Sequence, residues 1–177
     1  MPLSALSQSQ TTVLGRKDKA LICYFSRTGN TRSVALRLRD ILSTRYVVDL
    51  VEIQPLVRHG YLPWLLYSFF PNSRVRIENS NFDVSGYGLV CLGSPKWTFS
   101  CPPFNEYLHL MTGCSRKRIV LFLTFGGFRE KDFVTRVLRK IREKCAASVS
   151  LLVIKRRNIV NGSYARLVDD FTKSLED

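Results

Sequence analysis

The stretch ALICYF, residues 20–25, runs directly into SRTGNT, residues 26–31, and then into an amphipathic segment, residues 32–42. An apolar strand, a turn rich in hydroxyl groups and glycine, and a helix follow one another here. This order places backbone N–H groups, side-chain hydroxyls and a helix N-terminus around one point, which can bind a phosphate group. The stretch predicts a strand–turn–helix unit whose turn is either a phosphate site or an ordinary joint without a ligand.

The turn lacks the patterns of three common phosphate-handling loops. It contains neither the Gly-x4-Gly-Lys-Ser/Thr pattern of the Walker A loop nor the Gly-x-Gly-x-x-Gly pattern of dinucleotide-binding folds. Cys23 and Arg27 are too close in sequence for the Cys-x5-Arg loop of tyrosine phosphatases. These three classes are therefore excluded at this position.

Two further apolar strands end in loops of similar character. GLVCLG, residues 88–93, leads into SPKWTF, residues 94–99, and IVLFL, residues 119–123, leads into TFGG, residues 124–127. In open α/β sheets, ligands bind outside the carboxyl ends of the strands, at the point where the strand order reverses. The three loops together therefore predict one binding site at the carboxyl edge of a parallel sheet.

These three loops resemble the FMN loops of the flavodoxin-like superfamily, and the resemblance covers nearly all of the chain from Lys19 onward. The Gly-Ser-Pro-x-Trp loop followed by Pro-Pro is similar to that of short prokaryotic flavodoxin-family proteins, which are related to FMN-dependent NAD(P)H:quinone oxidoreductases. The resemblance implies a doubly wound α/β fold. Its five-stranded parallel sheet would have the order 2-1-3-4-5, with FMN at the switch between strands one and three.

On this resemblance, the FMN phosphate is expected on the hydroxyls and backbone N–H groups of 26–31, where Gly29 permits a tight turn. Arg27 would either pair with the phosphate or point to solvent. The isoalloxazine is expected between 94–99 and 124–127, with Trp97 or Phe99 as a stacking face. The candidate cofactor-binding residues are Ser26, Arg27, Thr28, Gly29, Asn30, Thr31, Ser94, Pro95, Lys96, Trp97, Thr98, Phe99, Thr124, Phe125, Gly126 and Gly127. No catalytic residue and no metal ligand is predicted.

Alternating strand and helix patterns extend over the remaining chain. We expect strands at about 20–25, 46–53, 88–93, 117–124 and 148–155, and helices at about 31–44, 102–111, 129–147 and 163–175. The long crossover 54–87 contains an aromatic segment, 61–70. This segment is expected to be a short helix that packs over the sheet edge, with a lid beside the flavin or a homodimer contact as alternatives.

The chain of 177 residues fits one domain, expected at 19–177 after a disordered lead-in, 1–18, rich in Ser, Gln and Thr. No apolar stretch is long enough to span a bilayer, and the beginning lacks the apolar core of a secretory signal. The five cysteines include no Cys-x-x-Cys pair. Cys101 could approach the flavin, whereas Cys114 and Cys145 have no evident role. The cysteine pattern predicts a cytoplasmic location.

A net charge of +13 departs from the acidic character typical of electron-carrier flavodoxins. The excess lies in 116–118, in the helix 129–147 and in 155–157. Val134, Val137, Leu138 and Ile141 form the expected core stripe of that helix, and its basic residues fall mostly on the opposite side. This basic face is either simply solvated or binds something acidic, such as a ferredoxin-like redox protein, a polyanion or a membrane surface. No motif for specific nucleic-acid binding is present.

Two functions remain from different classes. One is an FMN-binding electron carrier between protein partners, and the alternative is an FMN-dependent NAD(P)H oxidoreductase acting on quinones or similar acceptors. No separate nicotinamide-binding motif is visible, but simple quinone reductases also lack one. A third interpretation, a flavodoxin fold used as a binding module without FMN, is disfavoured by the intact loops.

Overall fold

The computed structural model describes residues 18–57, 61–78, 81–127 and 130–175, apart from the side chains of residues 61 and 62. The lead-in expected at 1–18 lies outside these residues except for Asp18. Among the helices described, none is both long enough and apolar enough to cross a membrane.

The core of the fold is a five-stranded parallel sheet of order β2-β1-β3-β4-β5, which confirms the predicted topology. Nearly every residue of the three central strands is buried, because helices cover both faces of the sheet. The strands are β1 (Lys19–Tyr24), β2 (Val47–Glu52), β3 (Leu89–Pro95), β4 (Arg118–Phe125) and β5 (Ser148–Lys155).

Two layers of helices pack against the sheet. One layer buries Val34 and Leu38 of α1 with Val168 of α6, and the ion pair between Arg37 and Asp169 (2.6 Å) joins these two helices. The other layer consists of α3 and α4. The helices are α1 (Asn30–Leu42), α2 (Tyr61–Ser68), α3 (Pro102–Leu110), α4 (Glu130–Cys145), α5 (Arg156–Val160) and α6 (Tyr164–Ser174).

Helix α4 buries one apolar stripe and uses some of its basic residues internally. Phe133, Val137 and Ile141 are buried at i, i+4 spacing, whereas the expected members Val134 and Leu138 are only partly buried. The stripe therefore lies slightly to one side of its predicted position.

Two lysines of α4 do not simply face solvent, as the sequence pattern suggested. Lys140 Nζ donates to the backbone oxygen of Pro71 at 3.3 Å, and Lys144 Nζ donates to that of His109 at 2.6 Å. The two bonds connect α4 to Pro71, in the segment after α2, and to His109, near the end of α3.

Cys114, before β4, and Cys145, at the end of α4, form a disulfide. The sequence shows no local signal of this pairing, because the two cysteines are 31 residues apart. Cys23, Cys91 and Cys101 are free and buried.

Candidate functional site

The three predicted loops meet at the carboxyl edge of the sheet. Adjacent strand ends are bound by the Phe25 N–H, which donates to the Gly93 carbonyl (3.0 Å), and by the Lys96 N–H, which donates to the Thr124 carbonyl (2.7 Å). We call residues 26–31 the first loop, 94–99 the second and 124–127 the third. The first loop contacts the third directly, because the hydroxyls of Thr31 and Thr124 lie 2.8 Å apart in a buried position.

The first loop has the form of an open anion cradle. Gly29 has a φ of +83°, in the left-handed region that favours glycine, and a side chain there would have open space around it. Helix α1 begins at the next residue and has no acidic side chain in its first turn. The Ser26 hydroxyl accepts from the Arg32 N–H at 3.2 Å, which fixes the loop against the start of the helix. The positive end of the α1 dipole therefore faces an uncrowded turn.

The residues of the first loop differ sharply in exposure. Arg27, Thr28 and Gly29 are exposed, whereas Ser26 and Asn30 are half-buried. Thr31 is 1% exposed, and its hydroxyl is engaged with Thr124. Thr28 is therefore available to a ligand, while Thr31 connects two loops of the site.

The second loop is covered by aromatic side chains. The Trp97 ring lies edge-on to Phe25, with centroids 5.5 Å apart, and tilted against Trp64 at 5.4 Å. Trp64 belongs to α2 and is only 4% exposed. The expected helix at 61–70 is confirmed as α2, and it also lies directly beside the second loop. The aromatic content of residues 61–70 indicated that this segment packs against another part of the fold, but not that it packs against the second loop.

Hydrogen bonds also attach α2 to the second loop. The Phe99 N–H donates to the Ser68 carbonyl at 2.9 Å, and the Ser68 hydroxyl donates to that of Thr98 at 3.0 Å. The rings of Phe69 and Phe99 are 6.1 Å apart. Earlier in the loop, Ser94 is fully buried and Pro95 is the last residue of β3.

Cations surround the second and third loops. Burial lowers the pKa of Lys96, Glu130 opposes this shift, and Arg136 adds to it. The guanidinium of Arg136 lies 5.8 Å from the centroid of the Phe99 ring. On the other side, a methyl group built on Gly126 would lie 3.8 Å from Cδ of Arg156. Neither Arg136 nor Arg156 was predicted at the site, because both come from elements that are distant along the chain.

The third loop combines a buried strand end with an exposed turn. Thr124 and Phe125 complete β4 and are 3% and 5% exposed, whereas Gly126 and Gly127 are exposed. The Phe125 ring is thus part of the core, and only the glycine backbone is open to a ligand from outside.

Cys101, which the sequence placed near the site, lies in the core at 1% exposure. Burial raises the pKa of its thiol to about 12, although a contact with the Ser94 hydroxyl partly opposes the shift. A thiolate is the reactive form of cysteine. The burial of Cys101 disfavours a role as a reactive thiol beside a ligand, and its approach to the flavin stays a prediction. Within the described residues, no group of three His, Cys, Asp or Glu side chains is placed to hold a metal ion.

A cavity of about 450 Å³ adjoins the first loop on its β2 side. Its lining includes Ser26 and Arg27 of the first loop, Glu52 and Gln54 at and just after the end of β2, and Trp64 of α2. The Tyr24 hydroxyl donates to Glu52 at 3.3 Å. Phe25 also lines this cavity, and because the rings of Phe25 and Trp64 both contact Trp97, the cavity borders the aromatic side chains that cover the second loop.

A search for matching protein-family models found none. An uncharacterized protein of Archaeoglobus fulgidus is 34% identical over 137 residues, which are 77% of this chain and 85% of that protein.

Three solved structures share the fold. A candidate flavoprotein from Bacteroides eggerthii has 25% identity and a TM-score of 0.63, over 77% of this chain and 87% of that one. A Lactobacillus acidophilus flavoprotein in complex with FMN has 18% identity and a TM-score of 0.61, over 82% and 99%. A flavodoxin from the domain Archaea has 17% identity and a TM-score of 0.56, over 90% and 99%. Together with the strand order β2-β1-β3-β4-β5, these findings show that the chain has a flavodoxin-like fold.

Proposed function

We propose that this chain is an FMN-binding redox protein that carries electrons between protein partners. The observation that supports it is the convergence of the three loops at the switch point between β1 and β3, where the Thr31–Thr124 contact joins two of them. Ligands of open α/β sheets bind at such a point. The flavodoxin-like structures that align with this chain include one in complex with FMN.

The residues present suit FMN in chemistry as well as in position. The first loop offers the phosphate the exposed Thr28 hydroxyl, the N–H groups at the start of α1 and an open turn at Gly29. The second loop would offer Trp97 or Phe99 as a stacking face, and the third would offer the exposed backbone of Gly126 and Gly127. When bound, FMN supplies one- and two-electron redox chemistry, and the protein sets its environment.

A carrier needs an open edge through which a partner can approach. The first and third loops provide one, because Arg27, Thr28, Gly126 and Gly127 are exposed. Beside the third loop, Lys155, Arg156 and Arg157 are also exposed at the end of β5 and the start of α5. We propose that an acidic, ferredoxin-like redox protein docks on this basic edge.

The alternative function is an FMN-dependent NAD(P)H oxidoreductase acting on quinones or similar acceptors. The observation that favours it is the cationic border formed by Lys96, Arg136 and Arg156. Such a border attracts the phosphates of a nicotinamide nucleotide, and a cation beside the isoalloxazine favours its reduced, anionic form. A homodimer also remains a proposal.

We propose a cytoplasmic protein whose domain spans 19–177. The free, buried Cys23, Cys91 and Cys101 suit a reducing compartment, whereas the Cys114–Cys145 disulfide is of a kind more common outside it.

Titration with FMN tests the cofactor. The protein is expected to bind one FMN per chain and to quench its fluorescence. A protein that leaves the absorption and fluorescence of millimolar FMN unchanged would contradict the proposal, and would favour a binding module without flavin.

Charge reversal separates the carrier from the enzyme. In the FMN-loaded protein, K155E/R157E, which leaves Arg156 in place, should slow electron exchange with an acidic ferredoxin at low salt, because steering by charge raises on-rates about 10- to 1000-fold. Arg166→Glu is the matched control, since Arg166 is a strongly exposed residue of α6. Rapid NAD(P)H–quinone turnover, together with exchange that neither salt nor K155E/R157E changes, would support the oxidoreductase instead.

A further inference from the structure

Four large apolar side chains are exposed where α2 ends. We call Leu66, Tyr67, Phe69 and Phe70 the aromatic tip; their exposed fractions are 59%, 43%, 48% and 68%. Successive i, i+3 hydrogen bonds turn the chain here, from the Phe69 N–H to the Leu66 carbonyl (3.2 Å) and from the Phe70 N–H to that of Tyr67 (3.3 Å). An exposed apolar cluster of this kind marks an interaction site more often than ordinary surface.

The aromatic tip is held in place. The Ser73 hydroxyl donates to the Tyr67 carbonyl at 2.6 Å and lies 2.9 Å from that of Phe70. The buried Asn105 side chain donates to the Ser73 carbonyl at 2.9 Å. These contacts anchor the turn to α3, so the apolar side chains project outward from a fixed base.

Cations surround the base of the aromatic tip. Lys140 Nζ donates to the Pro71 carbonyl at 3.3 Å, and Arg136 lies over the Phe99 ring, which contacts Phe69. Burial, Arg136, Arg139 and Arg74 together lower the pKa of Lys140, which reflects how closely these positive charges are grouped.

Two members of this group are paired with acidic side chains. Glu106 is 3.7 Å from Arg74, and Glu143 is 3.8 Å from Arg139. Arg136 and Lys140 add to these two pairs, so the base of the tip is net positive.

The aromatic tip and the candidate flavin site are neighbours. Ser68, immediately before Phe69, accepts from the Phe99 N–H and donates to the Thr98 hydroxyl. Whatever covers the tip must therefore lie beside the second loop.

We propose that the aromatic tip inserts into the interfacial region of an anionic lipid bilayer, with the surrounding cations at the level of the lipid headgroups. Apolar and aromatic side chains with basic residues beside them are the combination that binds such surfaces. A second copy of the chain fits less well, because a symmetric contact through the tip would bring the same positive charges together. An acidic protein would satisfy the charges, but side chains that project from a turn suit a deformable lipid surface better.

Vesicle co-sedimentation tests this proposal with the full chain, with and without FMN. The protein should bind vesicles of equal parts phosphatidylcholine and phosphatidylglycerol much more strongly than vesicles of phosphatidylcholine alone. Phe69→Ser with Phe70→Ser should weaken this binding at least tenfold, because the two rings lose their apolar burial. Val160→Ser with Leu167→Ser is the matched control, since these residues are 77% and 41% exposed on α5 and α6.

Three results would overturn the proposal. One is absence of binding to the anionic vesicles. Another is equal binding by the tip variant, the control variant and the unaltered protein, which would reduce the effect to adsorption by net charge. The third is a dimer in sedimentation velocity that the tip variant abolishes, which would assign the tip to self-association. None of these results depends on FMN, so they leave the proposed redox function to its own test.

Discussion

The first and second loops lie side by side, yet they are built in different ways. The first loop is supported mainly from within: its turn, its glycine and the start of its helix lie within seven consecutive residues, 26–32, and its Thr31 hydroxyl contacts the third loop. The second loop is held from about 30 residues away, by Trp64 and Ser68 of α2. A loop can be recognised from the sequence when the residues that would bind the ligand are also the ones that fix its conformation. When a distant element fixes the loop, the sequence of the loop does not reveal that support.

The largest expected effect is the loss of Trp64. Trp64→Ala should lower the free energy of unfolding by about 3–5 kcal/mol, because a buried indole that contacts Phe25 and Trp97 is removed. Leu66→Ala, on the same helix but 59% exposed, should change it by less than about 0.5 kcal/mol. Urea unfolding measures both. Equal effects of the two substitutions would mean that α2 does not support the second loop.

The next effect concerns the ligand of the first loop. Thr28→Val should weaken FMN binding about tenfold or more, because a hydrogen bond to a charged group contributes roughly 1.5–3 kcal/mol. Riboflavin, which lacks the phosphate, should bind as before. Thr31→Val should instead lower stability by about 1 kcal/mol, because the Thr31 hydroxyl is bonded to Thr124 in a buried position. Parallel titrations and urea unfolding distinguish the two roles. Equal losses of affinity for FMN and riboflavin would mean that Thr28 does not bind the phosphate.

The smallest effect compares two glycines of the site. Gly29→Ala should cost about 1–2 kcal/mol of stability, because an L-residue is strained at a φ of +83° even where space is open. Gly127→Ala should change stability by less than about 0.5 kcal/mol, since its surroundings are equally open and its φ lies outside the positive range. Thermal unfolding measures both. Equal losses of stability in the two variants would mean that the left-handed backbone conformation is not the reason for a glycine at position 29.

The strand order and the three loops were predictable because apolar strands and turn residues carry local signals. The tight turn expected at Gly29 is found there, with a φ of +83°. The pairing of Cys114 with Cys145, the bonds of Lys140 and Lys144 to backbone carbonyls, and the position of Arg156 beside Gly126 were not predictable. Each of these contacts joins two segments that are far apart in the chain. The spacing of residues in one sequence does not show which distant segments will meet.

The disulfide between Cys114 and Cys145 turns β4, the third loop and α4 into a covalently closed ring. Both sulfurs are shielded, since Cys114 is 4% exposed and Cys145 is fully buried. Thiol–disulfide exchange requires an attacking thiolate to reach a sulfur atom. Either the end of α4 or the segment around Cys114 must therefore detach before any external thiol can cut the ring, and the lifetime of the bond in a reducing medium becomes a measure of how often the ring opens at this point.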